Sequence, residues 1–262
     1  MNKTKIPNNS IKDIELSILN DIDEFCKDNN IQYWLAYGTL LGAVRHQGFI
    51  PWDDDIDIVM FRDDYEKFLK TYNTQASQYK VLSLNDAAYY YEFAKVIDTE
   101  TSVSEDSVEA IPEMGVWVDI FPIDFVGKHK TLQRFLVKLL HSIRALSVYT
   151  SFPKQHSILF KPLWKLSRIL GYKKCLSLID KISKWQLERA QECGYIASAG
   201  GKYLFQTKWF DYSVDVPFEN KNYPAPKLHH EFLLQMYGED YMQLPPENKR
   251  IHHEFDAYWR TK

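Results

Sequence analysis

"FIPWDDDIDIVM", residues 49–60, sets four aspartates, Asp53, Asp54, Asp55 and Asp57, between a proline-marked aromatic approach and an apolar run. Read as a strand, residues 55–60 alternate acid and aliphatic side chains, so Asp55 and Asp57 fall on one face and Ile56 and Ile58 on the other. Carboxylates two residues apart on one strand face lie about 6–7 Å from each other, a gap that a divalent cation can bridge. Without a cation or a base beside them, burial drives such groups to take up protons. Oxygen donors alone favour Mg2+ or Mn2+ over zinc, and Mg2+ is typically held by one or two carboxylates together with substrate phosphates and water. The stretch therefore predicts a hard cation and a phosphate-bearing substrate. A solvated acidic turn is the bland alternative. An EF-hand loop is excluded by spacing, because the sixth position must be Gly and is Ile58 counted from Asp53, or Met60 counted from Asp55.

Upstream, "IQYWLAY" (31–37) reads as a buried strand, Gly38-Thr39 as a turn and "LLGAVRH" (40–46) as a short helix. Backbone N–H groups of that turn, at a helix start, are placed to cradle phosphate oxygens, which makes Gly38 and Thr39 substrate-binding candidates. Further upstream, Ile11, Ile14, Ile18, Ile22 and Phe25 recur at helical spacing and predict an amphipathic scaffold helix closed by "KDNN". Downstream, the pattern predicts a helix over 62–72 and strands over 79–84, 89–98 and 116–124. Lys95 and Asp119 sit within the last two strands, among apolar neighbours.

The charge is uneven. Residues 127–190 hold 14 Lys or Arg against two acids, Asp180 and Glu188, a local balance of +12 within a chain whose net charge is −3. The segment reads as helical, broken at Pro153, Pro162 and Gly171, with aliphatic residues between the bases. Such a surface suits an anionic acceptor or an anionic membrane surface; no recognisable module accompanies it that would point to nucleic acid. Three distant cysteines, Cys26, Cys175 and Cys193, lack metal-site or disulfide spacing and read as packing residues. No signal-peptide pattern and no apolar run of membrane-spanning length is present, so a cytoplasmic protein is expected, associated with the inner face of the membrane at most peripherally.

Taken together, "YGT", "DIDI" and "VDI" resemble the active-site pattern of the nucleotidyltransferase fold, and the longer stretch "YWLAYGTLLGAVRHQGFIPWDDDIDIVM" (33–60) resembles the LicD family, phosphotransferases related to the fukutin group. "AKVID" (94–98), "GVWVDIFPID" (115–124) and "YPAPKLHHEFLLQMYGEDYMQLPPENKRIHH" (223–253) extend the likeness over most of the chain, with little from 127–210. The resemblance implies an α+β fold: a nucleotidyltransferase-like mixed sheet flanked by helices over 1–126, a basic helical region over 127–194, and a C-terminal segment, 195–262, packing back on the core. It implies that Asp55, Asp57 and Asp119 hold Mg2+ or Mn2+, with Asp119 as ligand or general base. Arg45 and Lys95 then neutralise the transferring phosphoryl group. Asp53 and Asp54 are expected to orient the ligands or cap the turn, and His252, with His253, to reach back to the site. The implied activity is transfer of a phospho-alcohol, foremost phosphocholine from CDP-choline, to a hydroxyl of a cell-surface glycan or teichoic-acid precursor. CDP-ribitol or CDP-glycerol are the alternative donors; a nucleotide-sugar glycosyltransferase and a non-catalytic binding protein are the competing classes. A choline donor would call for an aromatic cage, and Tyr89, Tyr90, Tyr91, Trp117, Trp209 and Phe210 supply rings without singling one out.

Overall fold

A computed structural model describes residues 4–75, 77–104, 111–147, 161–247, 250 and 255–260. The architecture is α+β, with seven α-helices in the described residues. The chain divides into two compact units, one formed by Met1–Leu82, Ala94–Pro122 and Lys208–Lys262, the other by Ser83–Phe93 and Ile123–Thr207.

The first unit is built on a sheet with strand order β1 (Trp34–Leu35), β2 (Asp57–Phe61), β6 (Trp117–Val126), β4 (Ala94–Asp98), β3 (Tyr79–Leu82). β1 pairs antiparallel with β2, β4 with β6, and β3 with β4. Helix α1 (Asn8–Asp28) buries Ile11, Glu15, Ile18, Leu19 and Ile22 and packs on β4, while α3 (Arg62–Thr71) packs on β2. The alternating strand expected over 55–60 begins only at Asp57, and all five of its residues are buried. Asp55 lies in the extended approach. The strand expected over 31–37 shrinks to two residues because Tyr37 already starts helix α2 (Tyr37–His46). Tyr37 carries a left-handed φ of 43° and sets its ring edge-on to Phe121, with centroids 5.0 Å apart. A strand is expected from residue 89, but β4 starts at Ala94: the Tyr89 hydroxyl donates to the Phe93 carbonyl and its ring packs on Tyr91, closing 89–93 into a compact loop.

The C-terminal part of this unit is more regular than its composition suggests. A hairpin, β9 (Ser213–Phe218) with β10 (Lys221–Pro226), packs on α2 and β1, helix α7 (His229–Tyr237) follows, and β11 (Asp256–Trp259) pairs with β5 (Thr101–Ser104). Glu219, at the hairpin tip, accepts from the Phe49 N–H, and its own N–H donates to the Gln47 carbonyl. The hairpin thereby fixes the loop that carries the acidic run. A side chain on Gly42 would collide with the Gly48 carbonyl 2.4 Å away, so this helix-to-loop approach depends on glycine.

In the second unit the basic segment forms α4 (Lys130–Ser147) packed on α5 (Lys161–Ser183), around Val126, Val137, Ile179, Ile196 and Ala197. β7 (Glu192–Gly194) pairs with the last residues of β6 and with β8 (Leu204–Gln206), and a short helix α6 (Ile196–Ala199) lies between them. Pro162 is tolerated as the second residue of α5, where its missing N–H costs nothing, and Gly171 (φ 68°, ψ 159°) breaks the helical course. Pro153 lies outside the described residues. Arg144 binds Glu92 at 2.9 Å, and Gln133 donates to the carbonyls of Ile182 and Ser183.

Candidate active site

Three neighbouring strands of the first unit each contribute one charged side chain. Asp57 opens β2; the Asp119 N–H on β6 donates to the Ile56 carbonyl at 2.9 Å, seating Asp119 beside it; Lys95 on β4 is in register with Asp119. The Lys95 Nζ lies 2.5 Å from Asp119 Oδ1 and 4.2 Å over the Trp117 ring. Lys95 is 3% exposed, and Asp57 and Asp119 are each 8% exposed. Burial pushes the Asp57 carboxyl well above the usual carboxylate range, and the nearby charges of Asp55, Asp119 and Asp53 add to the rise while Lys95 opposes it. Asp119 is raised for the same first reason, burial, with Lys95 pulling it down and Asp55 pushing it up. Such mutual perturbation, in a buried cluster of unlike groups, makes this a functional-site candidate.

Sequence reasoning missed Glu15. It is 1% exposed on α1, its Oε2 makes no hydrogen bond, and burial followed by the charges of Asp55 and Asp54 raises its pKa well above the ordinary value. The signal was present: Ile11, Glu15, Ile18 and Ile22 form one apolar stripe, in which an acid is out of place. By contrast, the buried Asp23 on the same helix is satisfied by Lys27, Lys221 and Tyr33.

The glycine–threonine pair occupies the first turn of α2, not a turn before it. The Thr39 hydroxyl accepts from the Asp57 N–H at 2.8 Å, tying α2 to the start of β2. A Cβ on Gly38 would sit 2.2 Å from Asp53 Oδ2, so the Asp53 carboxylate lies against the opening turn of α2. That place suits a negative group, because the helix start is electropositive. Arg45, in the last turn of α2, donates from Nη1 to the carbonyls of Tyr241 and Gln243, at 2.9 and 3.2 Å, and from Nε to His46 Nε2. Much of its donor capacity thus holds the 241–243 turn, although its charge still acts on Asp53. The guanidinium groups of Arg45, at 6.0 Å, and Arg250, at 4.4 Å, both approach the Trp52 ring centroid. Arg250 is a further cation that the sequence did not single out. His252 and His253 lie outside the described residues, and Asp54 belongs to the cluster through its action on Glu15.

The donor set is all oxygen, and the described carboxylates outnumber the one ammonium buried among them, which fits a divalent cation. Among the described residues no three His, Cys, Asp or Glu side chains converge in a group able to hold a metal ion by themselves. Mg2+ does not require it, since two carboxylates, substrate phosphate oxygens and water complete its shell.

Comparison with known proteins decides the lineage. A family model described as "LicD/FKTN/FKRP, nucleotidyltransferase domain" matches residues 30–156. Over 95% of its length the chain is 31% identical to the lipopolysaccharide cholinephosphotransferase LicD of Haemophilus influenzae, covering 98% of that protein. The chain belongs to the LicD family. The family is one of transferases and extends to the fukutin group: a segment of 34 residues, 13% of the chain and 7% of the relative, is 50% identical to the ribitol 5-phosphate transferase FKRP of Homo sapiens. A 47-residue match, 55% identical and 18% of each chain, links it to a protein of Rickettsia prowazekii. No described helix is long and apolar enough to cross a membrane.

Proposed function

We propose that this LicD protein is a metal-dependent phosphotransferase with a nucleotidyltransferase-like core, moving phosphocholine from CDP-choline to a hydroxyl of a cell-surface glycan or teichoic-acid precursor in the cytoplasm. The observation that carries the reading is the buried trio of Asp57, Asp119 and Lys95 on three adjacent strands, with Asp55 acting on both carboxylates. Choline is favoured over ribitol or glycerol because the likeness to the cholinephosphotransferase spans nearly the whole chain, whereas that to the ribitol phosphate transferase spans 34 residues.

In this reading Asp55 and Asp57 would hold Mg2+ or Mn2+, and Asp119 would lend its charge from the neighbouring strand. The cation, when bound, neutralises charge on the transferring phosphoryl group and its leaving oxygen. The acceptor oxygen forms the new P–O bond, the bond to the nucleotide breaks, and CMP departs; the hydroxyl proton passes to a carboxylate of the cluster. Lys95 holds Asp119 in place and partly offsets the rise that burial causes in its pKa, so Asp119 is placed both to lend charge and to take the acceptor proton. Asp53 and Thr39 fix the loop and strand that present Asp55 and Asp57. Arg45, Arg250 and Trp52 border the acidic run, where a nucleotide phosphate and base would be recognised by guanidinium groups and an indole face.

Thermal unfolding with Mg2+ and CDP-choline, CDP-ribitol or CDP-glycerol in turn tests the donor. Protection by CDP-choline, together with CMP release that Asp57→Asn abolishes, is expected. Protection by a different CDP-alcohol would move the donor assignment, and unchanged transfer in Asp57→Asn would overturn the site.

A further inference from the structure

We propose that the outer faces of α4 and α5 dock this protein on an anionic lipid surface. The two helices carry ten Lys or Arg and a single acid, Asp180, which pairs with Lys184 at 2.8 Å. Several bases are engaged inside the unit: Lys130 with Glu192, Arg144 with Glu92, Lys173 with the carbonyls of Leu84 and Asp86. Six others, Lys138, Lys161, Lys165, Arg168, Lys174 and Lys181, are exposed.

Large apolar side chains are exposed on the same two helices. On α4, Leu132, Phe135 and Leu139 follow helical spacing on the side away from buried Gln133 and Val137, and Phe135 is 61% exposed. On α5, Leu166 and Ile169 stand beside Lys165 and Arg168, and Ile169 is 77% exposed. The stripe of Leu132, Phe135 and Leu139 thus faces water over the first half of α4, while its continuation, Ile143 and Leu146, is buried. Exposed Leu, Ile and Phe at this density lose free energy in water and call for a partner.

The charge decides which partner. A second copy would bring six exposed bases against six with no acid to match. A nucleic acid would satisfy the bases but leave Leu132, Phe135 and Leu139 in water. An anionic bilayer answers both features, because basic groups sit among the headgroups while apolar side chains enter the acyl boundary. Docking would hold the enzyme where lipid-linked acceptors reside, although it stands independently of the donor assignment.

Flotation of the full chain with vesicles tests this directly. Binding is expected to vesicles of mixed phosphatidylglycerol and phosphatidylcholine at ~0.05 M salt, with sharp weakening at ~0.5 M and none to phosphatidylcholine alone. The exposed pair Phe135→Ser/Leu139→Ser should lower binding at least ~tenfold, since each apolar group adds to insertion, with the circular dichroism of the parent retained. Absence of parental binding to anionic vesicles at low salt, equal binding to neutral vesicles, or equal binding by the double variant would overturn the proposal. So would a concentration-dependent dimer in sedimentation that the double variant abolishes, because the face would then belong to a second copy. The lipid and salt comparison uses the parent alone and remains decisive even if the variant fails to fold.

Discussion

Replacing Lys95 by Met removes one ammonium of nearly the same length from the centre of the acidic cluster. Asp119, 8% exposed, then faces Asp55 and Asp57 with its ion-pair partner gone. Taking one partner from a buried pair costs about 3–5 kcal/mol, because the charge left behind stays desolvated. At roughly 2–4 °C per kcal/mol, the melting temperature should fall by on the order of 10 °C. Asp119→Asn should cost less, because Lys95 keeps the nearby charge of Asp57 on which it already acts. The double variant Lys95→Met/Asp119→Asn should therefore be more stable than Lys95→Met alone. Thermal unfolding by circular dichroism in EDTA measures all three, and excess Mg2+ should return part of the Lys95→Met loss. A Lys95→Met protein within ~1 kcal/mol of the parent, inside the range of ordinary surface substitutions and their neighbours, or one more stable than Asp119→Asn, would refute the reasoning.

Thr39→Val strands the buried Asp57 N–H and should cost about 1–3 kcal/mol in denaturant unfolding, with transfer falling alongside. Gly38→Ala drives a methyl into Asp53 Oδ2, so activity should drop severalfold while stability, read in the same titration, changes little. Glu15→Gln should be no less stable than the parent in EDTA, yet bind Mn2+ more weakly by electron paramagnetic resonance, because it removes a buried carboxyl that a cation near Asp54 and Asp55 would help to ionise. Glu15, Asp57 and Asp119 all have raised folded-state pKa values, chiefly through burial, so the native state keeps protons that the unfolded chain has released. Stability without metal should therefore fall as pH rises from the ordinary carboxylate range toward neutrality, and excess Mg2+ should flatten that fall. Asp23 works oppositely: despite burial, hydrogen bonds from Lys221, Lys27 and Tyr33 hold its pKa low, so its contribution disappears only on acidification below the ordinary aspartate value.

The α+β class and the main elements of the first unit were legible because their signals are local: the stripe of α1, the helix after Phe61, the apolar runs around Lys95 and Asp119. The strand containing Asp55 was overdrawn, since alternation alone does not reveal that the loop fixed by Glu219 delivers residues 49–55 before pairing begins at Asp57. Gly38-Thr39 read as a turn because glycine commonly breaks helices, whereas here its lack of a side chain admits Asp53 within the first turn of α2. The hairpin of residues 213–226 was missed because its strands contain Pro217, Pro224 and Pro226, residues that discourage a strand assignment but are tolerated in a two-stranded ribbon. Arg250 was invisible for another reason: its contact with Trp52 joins residues distant in sequence. Glu15 left a local signal, an acid within the apolar stripe of α1, but the stripe alone does not encode that its charge is felt by Asp54 and Asp55.

Purified protein incubated with CDP-choline, Mg2+ and a glycan acceptor, followed by 31P NMR, addresses the phosphotransfer chemistry itself. The diphosphate resonances should give way to CMP and a phosphodiester, with Asp57→Asn and EDTA each leaving the donor intact. Formation of that phosphodiester at parental rate by Asp57→Asn, or in EDTA, would contradict the assignment of this acidic cluster as the place where the bond is made.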